Sequence, residues 1–204
     1  MSEQVRLRRE KQTARRAMTA EARAEAAERI AHRLLSSDSF RRATHIGCYL
    51  PWGAEVDTSA IIEYLWTHNK TCYLPVLVPS HQNRLWFVPF YPDTVLKTNQ
   101  YGIYEPKPTK RNRALPQKLD AVLVPLVAFD RHGTRIGMGG GYYDRTLAFR
   151  RTRTTWLRPL LIGLAYECQK TAVIPSNPWD VRLDAIVTER TTYRPSSSSP
   201  KRRT

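Results

Sequence analysis

Short apolar segments alternate with helical segments along most of this chain, and this alternation limits the fold more than any other feature of the sequence. Six segments have the length and composition of buried strands: residues 46–50, 71–77, 85–90, 122–127, 160–166 and 185–188. Apolar strands that are separated by helices are typical of a mostly parallel sheet covered on both faces. The sequence therefore predicts an α/β protein with a mostly parallel central sheet.

Two helices are predicted before the first strand. The first covers residues 5–18 and is rich in arginine and lysine. The second begins after Thr19, a suitable N-cap residue. It carries apolar side chains at three- and four-residue spacing: Ala27, Ile30, Ala31, Leu34 and Leu35. We expect this apolar face to pack on the sheet. Further along, Thr58 is the predicted N-cap of a helix to about His68, with Asn69 as its stop.

Lys11 and Arg15 are four residues apart in the first helix and so are neighbours on one face. Like charges at this spacing repel by about a few tenths of a kcal/mol unless an anion bridges them. From the residues alone, the pair indicates either an anion contact or an ordinary solvated helix face.

The densest motif is the segment 135–145, RIGMGGGYYDR, which holds four of the chain's nine glycines. It follows a strand-like run, 121–129, and precedes a helix-like run, 142–149. A glycine-rich loop in this position can present backbone N–H groups to an anion, and a phosphate is the leading candidate. A plain connecting loop is the alternative. The segment is neither a P-loop nor a dinucleotide-binding motif, because Tyr142 stands where the latter needs its third glycine.

Two loops are expected to meet at one edge of the sheet. The loop 51–57, which contains Glu55, and the glycine segment both follow strands at their carboxyl ends. Ligands of parallel sheets bind beyond those ends. The sequence therefore predicts that residues some eighty positions apart line one site.

Composition limits the kind of protein. At 204 residues and 41% apolar content the chain suits one domain with a good core. No apolar run is long enough for a membrane helix and the N-terminus is charged, so we expect a soluble cytoplasmic protein without membrane partners. Three widely spaced cysteines indicate buried thiols rather than a metal site or disulfides, namely Cys48, Cys72 and Cys168. The five scattered histidines are assigned no chemistry.

The net charge of +15 raises the question of nucleic-acid binding. The excess lies in residues 1–42, 145–159 and 190–204, and the rest of the chain is balanced. No aromatic and basic stripe accompanies it, so specific nucleic-acid binding is not expected, although loose binding of polyanions stays an alternative. Residues 195–204, with four serines and a basic end, have the composition of a disordered tail.

Several motifs together resemble the 5-formyltetrahydrofolate cyclo-ligase family. They are Lys11 with Arg15, 47–58 (GCYLPWGAEVDT), 102–106 (GIYEP), 135–145 (RIGMGGGYYDR), 163–166 (GLAY) and 179–184 (WDVRLD). The resemblance implies a three-layer α/β/α sandwich and one cyclo-ligase domain, residues 1–194. It also implies ATP- and Mg²⁺-dependent closure of 5-formyltetrahydrofolate to 5,10-methenyltetrahydrofolate by a chain that we expect to be a monomer.

The same resemblance assigns roles to residues. It implies ATP binding by Lys11, Arg15, Arg135, Gly137, Met138, Gly139, Gly140, Gly141, Tyr142 and Tyr143. It implies folate binding by Leu50, Trp52, Glu55, Tyr101 and Tyr143, and a metal site at Asp144 and Asp180. We expect catalytic contributions from Lys11, Tyr143 and Arg145. Met138 stands where many members carry a basic residue, and Trp179 where many carry histidine.

Two rival hypotheses stay open at this point. One is a polyanion-binding α/β protein that uses the +15 charge. The other is an enzyme of similar architecture that acts on a sugar phosphate or an acyl-CoA without ATP. Only fold analogy supports this second hypothesis.

Overall fold

The computed structural model describes residues 2–78, 83–153 and 158–195 and shows a central sheet flanked by helices. The helices are α1 (Glu3–Arg16), α2 (Ala20–Leu35), α3 (Asp38–Arg41), α4 (Ser59–Thr67) and α5 (Tyr142–Thr146). Three short 3-10 helices cover Pro116–Lys118, Ala148–Arg151 and Glu167–Gln169. None of the described helices is both long and apolar enough to cross a membrane.

The strands form one large sheet and two small hairpins. They are β1 (His45–Gly47), β2 (Thr71–Leu77), β3 (Leu85–Phe90), β4 (Leu96–Thr98), β5 (Tyr104–Pro106), β6 (Ala121–Pro125), β7 (Ala128–Phe129), β8 (Arg135–Ile136), β9 (Leu160–Leu164), β10 (Ala185–Val187) and β11 (Thr192–Tyr193). The large sheet has the order β11-β10-β9-β6-β1-β2-β3, and only its two outermost pairs are antiparallel. The predicted mostly parallel sheet is confirmed.

Side chains of the central strands alternate between two apolar layers, as the pleat of a strand requires. On one face, Ile46 and Leu123 pack with α2 and α4. On the other, Val122 and Val124 pack with Leu147, which follows α5. Helical segments therefore cover both faces, and the predicted α/β/α arrangement is confirmed.

The N-terminal helices follow their sequence signals. The hydroxyl of Thr19 accepts a hydrogen bond from the Ala22 N–H at 3.1 Å, so the predicted cap of α2 is present. The predicted apolar face is buried, except that Leu35 is only partly covered. Asn69 has a positive φ of 53°, which fits its predicted role as the stop after α4.

Thr58 is the N-cap residue of α4, as predicted, but its side chain makes no capping hydrogen bond. The Thr58 hydroxyl is buried and donates to the Tyr49 carbonyl at 2.6 Å. The preceding residue, Asp57, supplies the bond instead, since its carboxylate accepts from the Ser59 N–H at 2.9 Å. The prediction of a buried Cys168 is wrong, since that thiol is exposed, whereas Cys48 and Cys72 are buried as expected.

The chain around the glycine segment is more finely divided than predicted. The run 121–129 splits into β6 and β7, and the antiparallel pair of β7 and β8 separates it from the glycines. The run 142–149 splits into α5 and a 3-10 helix. The first strand is β1, shorter than the predicted 46–50. Of the predicted tail, Pro195 is described, and residues 196–204 lie outside the described residues.

Candidate active site

A cavity of about 940 Å³ lies beyond the carboxyl ends of β1 and β6. Most of the residues selected from the sequence line it: Leu50, Trp52, Glu55, Tyr101, Arg135, Gly137, Met138, Gly139, Gly140, Gly141, Tyr142, Tyr143, Asp144, Arg145 and Asp180. The loop that contains Glu55 and the glycine loop thus meet, as the topology predicts. Burial and the nearby Glu55 carboxylate both raise the pKa of Tyr143.

Hydrogen bonds to the glycine loop are made to its carbonyl oxygens. Arg8 Nε donates to the Gly137 oxygen at 2.8 Å. The Gly140 oxygen accepts from Asn83 Nδ2 at 3.1 Å and from Arg145 Nη1 at 2.8 Å. Within the described residues, no N–H of 137–144 donates to a protein acceptor. The carbonyls are held by side chains while the N–H groups stay available, which is the arrangement an anion requires.

Two glycines of this loop have backbone angles that other residues rarely adopt. Gly139 has a φ of 107° and Gly141 a φ of 66°. A Cβ atom on Gly141 would lie 2.6 Å from Arg145 Nη1. Glycine at this position therefore both permits the turn and lets the Arg145 guanidinium lie against the loop.

Two carboxylates stand where a cation could bind. Asp144 Oδ1 accepts from Arg135 Nη2 at 2.8 Å and from the Val181 N–H at 3.0 Å. Asp180 Oδ2 accepts from the Asn177 N–H at 2.7 Å. No described donor occupies the second oxygen of either group, and both residues line the cavity. Two oriented carboxylates fit Mg²⁺, which keeps several waters. Across the residues described, no cluster of three His, Cys, Asp or Glu offers a fuller site.

Glu55 is half-buried and accepts from the Trp52 N–H at 3.1 Å through Oε2. Burial raises the pKa of the Glu55 carboxyl, and the Trp52 N–H and the charge of Arg15 only partly oppose this. Its other oxygen has no donor among the described groups, so it can accept an N–H of a ligand.

Part of the cavity wall comes from the hairpin of β4 and β5. The Tyr101 and Tyr142 hydroxyls are 2.8 Å apart, which links the hairpin tip to the start of α5. Glu105 ties the hairpin to β2, since Oε2 accepts from Asn99 Nδ2 at 3.0 Å and from the Leu77 N–H at 3.3 Å. Sequence reasoning missed the side chains of Asn99 and Glu105 as lining residues. The motif 102–106 was the available signal.

Lys11 and Arg15 do not line the cavity. The Lys11 ammonium lies 3.3 Å from the Glu10 carboxylate, and the buried Arg15 donates to the Leu126 carbonyl at 3.3 Å. From the same helix, Gln4 and Arg8 reach the cavity instead. Both were missed, although Arg8 lies three residues before Lys11 and hence on the same helix face.

The fold and this cavity define an α/β protein in which a glycine loop, with backbone N–H groups unpaired within the described residues, adjoins aromatic side chains. A profile of the 5-formyltetrahydrofolate cyclo-ligase family matches residues 1–189. The chain belongs to this family.

Individual relatives agree with the profile. The chain is 40% identical over 170 residues to the 5-formyltetrahydrofolate cyclo-ligase of Haemophilus influenzae, covering 83% of this chain and 89% of that protein. It is 38% identical over 174 residues to the Escherichia coli protein of the same name, covering 85% and 93% respectively. The NMR structure of Aquifex aeolicus 5,10-methenyltetrahydrofolate synthetase superposes with a TM-score of 0.79 at 29% identity, covering 97% of this chain and 95% of that one.

Proposed function

We propose that this chain catalyses the ATP-dependent conversion of 5-formyltetrahydrofolate to 5,10-methenyltetrahydrofolate, with release of ADP and phosphate. The observation that carries the proposal is the cavity, which joins the free N–H groups of the glycine loop to Glu55 and its aromatic surroundings. Membership of the cyclo-ligase family supports the same reaction.

The chemistry requires a phosphoryl group on the substrate. A formamide oxygen is a poor leaving group, so N10 cannot close the ring directly. Attack of the formyl oxygen on the γ-phosphorus forms the O–P bond and releases ADP. N10 then attacks the formyl carbon and loses its proton, and the C–O electrons leave with phosphate.

Residues of the chain support these reaction steps through their positions and charges. The N–H groups of residues 137–141 and the Arg145 guanidinium, 2.8 Å from the Gly140 oxygen, bind phosphate oxygens. Glu55 accepts N–H groups of the pterin ring, and Trp52 and Tyr101 cover its faces. Tyr143, beside both Glu55 and Asp144, orients the formyl group. Arg15, whose charge acts on Glu55, and Lys11 add positive potential without lining the cavity.

Magnesium, when bound, would be held by Asp144 and Asp180 and would supply positive charge to the ATP phosphates. The orientation of these two carboxylates by Arg135, Val181 and Asn177 supports this assignment.

The test follows the absorbance of the methenyl product after the protein is mixed with 5-formyltetrahydrofolate, Mg²⁺ and ATP. We expect the absorbance to grow only when ATP is present. If the protein is folded and gives no ATP-dependent increase in absorbance, the proposal is overturned. Polyanion binding would then be the leading hypothesis.

We also propose that residues 1–194 act as one monomeric domain in the cytoplasm. The lining of the cavity runs from Gln4 to Asp180, so segments from both ends of the sequence build one site, which supports a single domain. Size-exclusion chromatography with light scattering, compared with activity over a range of protein concentrations, tests this. Specific activity that falls on dilution together with a loss of mass would contradict it.

A further inference from the structure

We propose that a cleft between α2 and β11 binds the phosphodiester backbone of nucleic acids, independently of their sequence. This second binding site is separate from the reaction proposed above. It gives a role to the excess positive charge of the chain, which ring closure does not use.

The cleft brings together two basic segments of the sequence. Residues 1–42 carry 11 basic and 6 acidic side chains, and residues 190–204 carry 5 basic and no acidic ones. The cleft has a volume of about 680 Å³, and its walls come from residues 28–37 and 192–194. It shares no lining residue with the larger cavity. A ligand can therefore occupy the cleft while the larger cavity binds its own substrates.

One wall of the cleft is the polar side of α2. Arg29 and Arg33 line it and are four residues apart, so they are neighbours along the helix. The apolar side of the same helix, with Ile30 and Leu34, is buried in the core and fixes the helix in place. Arg194, which follows β11, lines the cleft from the other wall. Three guanidinium groups thus face one concave surface.

These arginines have few strong contacts within the protein. Arg33 Nη2 donates to the Glu189 carbonyl at 3.4 Å, a long hydrogen bond, and its Nε is buried without an acceptor among the described residues. Arg29 lies 3.7 Å from the Glu25 carboxylate, but both side chains are more than half exposed, so the pair is weak. Arg194 is exposed. A phosphate can therefore engage all three without breaking a strong bond.

The third basic segment of the sequence, residues 145–159, differs in this respect. Arg150 lies 2.7 Å from the Asp184 carboxylate, and Arg158 lies 2.7 Å from that of Asp120. Their charges are compensated inside the protein. The uncompensated charge is thus concentrated at the cleft and not spread evenly over the surface.

The chemistry of the cleft favours a chain of phosphates over other anions. The planar guanidinium group binds phosphate oxygens through paired hydrogen bonds, and His32, Ser36 and Thr192 add polar groups to the lining. Residues 195–204 continue the chain with three more basic side chains, which suits a long polyanion better than a small one. No Phe, Tyr or Trp among the described residues lines the cleft, so it lacks both stacking partners for bases and anchors for a membrane. Contact is therefore with the backbone.

The experiment removes three positive charges either from the cleft or from elsewhere. The cleft variant is Arg29→Ala/Arg33→Ala/Arg194→Ala. The control variant is Lys107→Ala/Arg111→Ala/Arg131→Ala, at exposed positions outside the cleft. Thermal unfolding establishes that each variant is folded. A double variant, Arg29→Ala/Arg194→Ala, keeps the half-buried Arg33 and replaces the triple variant if that one is unstable.

Fluorescence anisotropy then measures the binding of labelled RNA and DNA strands of about 20 nucleotides, each in two unrelated sequences, over a range of salt concentrations. A polyglutamate peptide and vesicles that contain anionic phosphatidylserine serve as competitors. Formation of the methenyl product is measured on the same preparations.

We expect the unaltered protein to bind all four strands with a Kd of roughly 1–100 μM near physiological salt, and log K to fall linearly with log salt concentration. The cleft variant should bind at least about tenfold more weakly, and its salt slope should be smaller by about 2, because three phosphate contacts are lost. The control variant should stay within about twofold of the unaltered protein, with the same slope. Formation of the methenyl product should be unchanged in both.

Equal losses of affinity in the cleft and control variants would overturn the proposal, because they would show that only the net charge matters. So would binding that persists in the cleft variant but disappears when residues 196–204 are removed. Tighter binding of the peptide or the vesicles than of the strands, or no binding of any strand, would also overturn it. A chain that forms no methenyl product can still show binding that depends on the cleft, so this proposal and the proposed reaction fail separately.

Discussion

Arg135 and Asp144 form an ion pair, with Arg135 Nη2 2.8 Å from Asp144 Oδ1, inside the wall of the cavity. The Arg135 side chain is 5% exposed and that of Asp144 27%. Arg135 also donates through Nη1 to the Val181 carbonyl, and the Val181 N–H donates to the same oxygen of Asp144. Asp144 is thus held in place from two sides, with one carboxylate oxygen left for another partner.

Replacing Arg135 should destabilise the fold. In Arg135→Gln the Asp144 carboxylate loses its charged partner in a largely buried setting, which should lower the free energy of unfolding by about 2–4 kcal/mol. Urea unfolding at neutral pH measures this, with Arg131→Gln as the exposed control. A loss below about 1 kcal/mol would show that the pair is screened like a surface ion pair.

Asp144→Asn should separate the metal role from the structural one. The amide oxygen can still accept from Arg135 and Val181, but the buried Arg135 loses its counter-charge, so we expect a loss of stability comparable to that of Arg135→Gln, and the assays are run where the variant is shown to be folded. Loss of the charge should lower kcat/KM for ATP by about 100-fold or more and shift the Mg²⁺ requirement to higher concentration. Asp93→Asn, at an exposed position, should change neither. A variant with an unchanged Mg²⁺ titration would place the metal elsewhere.

Glu55→Gln should stabilise the folded protein at neutral pH while impairing folate binding. Burial raises the pKa of Glu55 in the folded state above its unfolded value. The contribution of this group to stability is therefore fully present below the unfolded pKa and is lost as the pH rises through the folded pKa. Glutamine keeps the Trp52 N–H contact and carries no charge, so its urea midpoint should exceed that of the wild type at pH 7. The difference should vanish below about pH 4, where both states of Glu55 are protonated.

In Glu55→Gln the KM for 5-formyltetrahydrofolate should rise about tenfold or more, because the ligand loses a hydrogen bond to a charged acceptor. Glu63→Gln, on the exposed side of α4, is the matched control and should alter neither quantity. A Glu55→Gln protein that is less stable than the wild type at pH 7 would mean that the attraction to Arg15 outweighs burial.

Much of the fold follows from local sequence signals. The bounds of β2 and β3 agree with the predicted segments, and the Thr19 cap marks the start of α2, because each signal acts within a few residues. The meeting of the Glu55 loop with the glycine loop was predictable from topology alone. The glycine loop itself was recognisable because few chemical tasks need so many glycines together.

The rest depends on contacts between distant segments. Arg8 is 129 positions from Gly137, the residue that it contacts, and Glu105 is 28 from Leu77. No local pattern marks such pairs. Short elements such as β7 and β8 are equally hidden, since two residues carry too little periodicity to be recognised. The same limit applies to Thr58. Its hydroxyl donates to the buried carbonyl of Tyr49 across the loop instead of capping α4.

Gly141→Ala should impair catalysis, and backbone strain alone should not account for the loss of activity. A non-glycine residue in this left-handed conformation costs about 1–2 kcal/mol, and the new methyl group must also displace Arg145 Nη1, which lies 2.6 Å from its position. Gly53→Ala provides the matched control, because Gly53 has a φ of 62° but no atom within 4 Å of a new Cβ. Urea unfolding should therefore show a similar strain cost in both variants. Steady-state assays should show kcat/KM for ATP reduced by about tenfold or more in Gly141→Ala alone, since only there is the guanidinium that we assign to the phosphate moved. Equal activity in the two variants would mean that Arg145 adapts without loss, and its assignment to the phosphate would then be wrong.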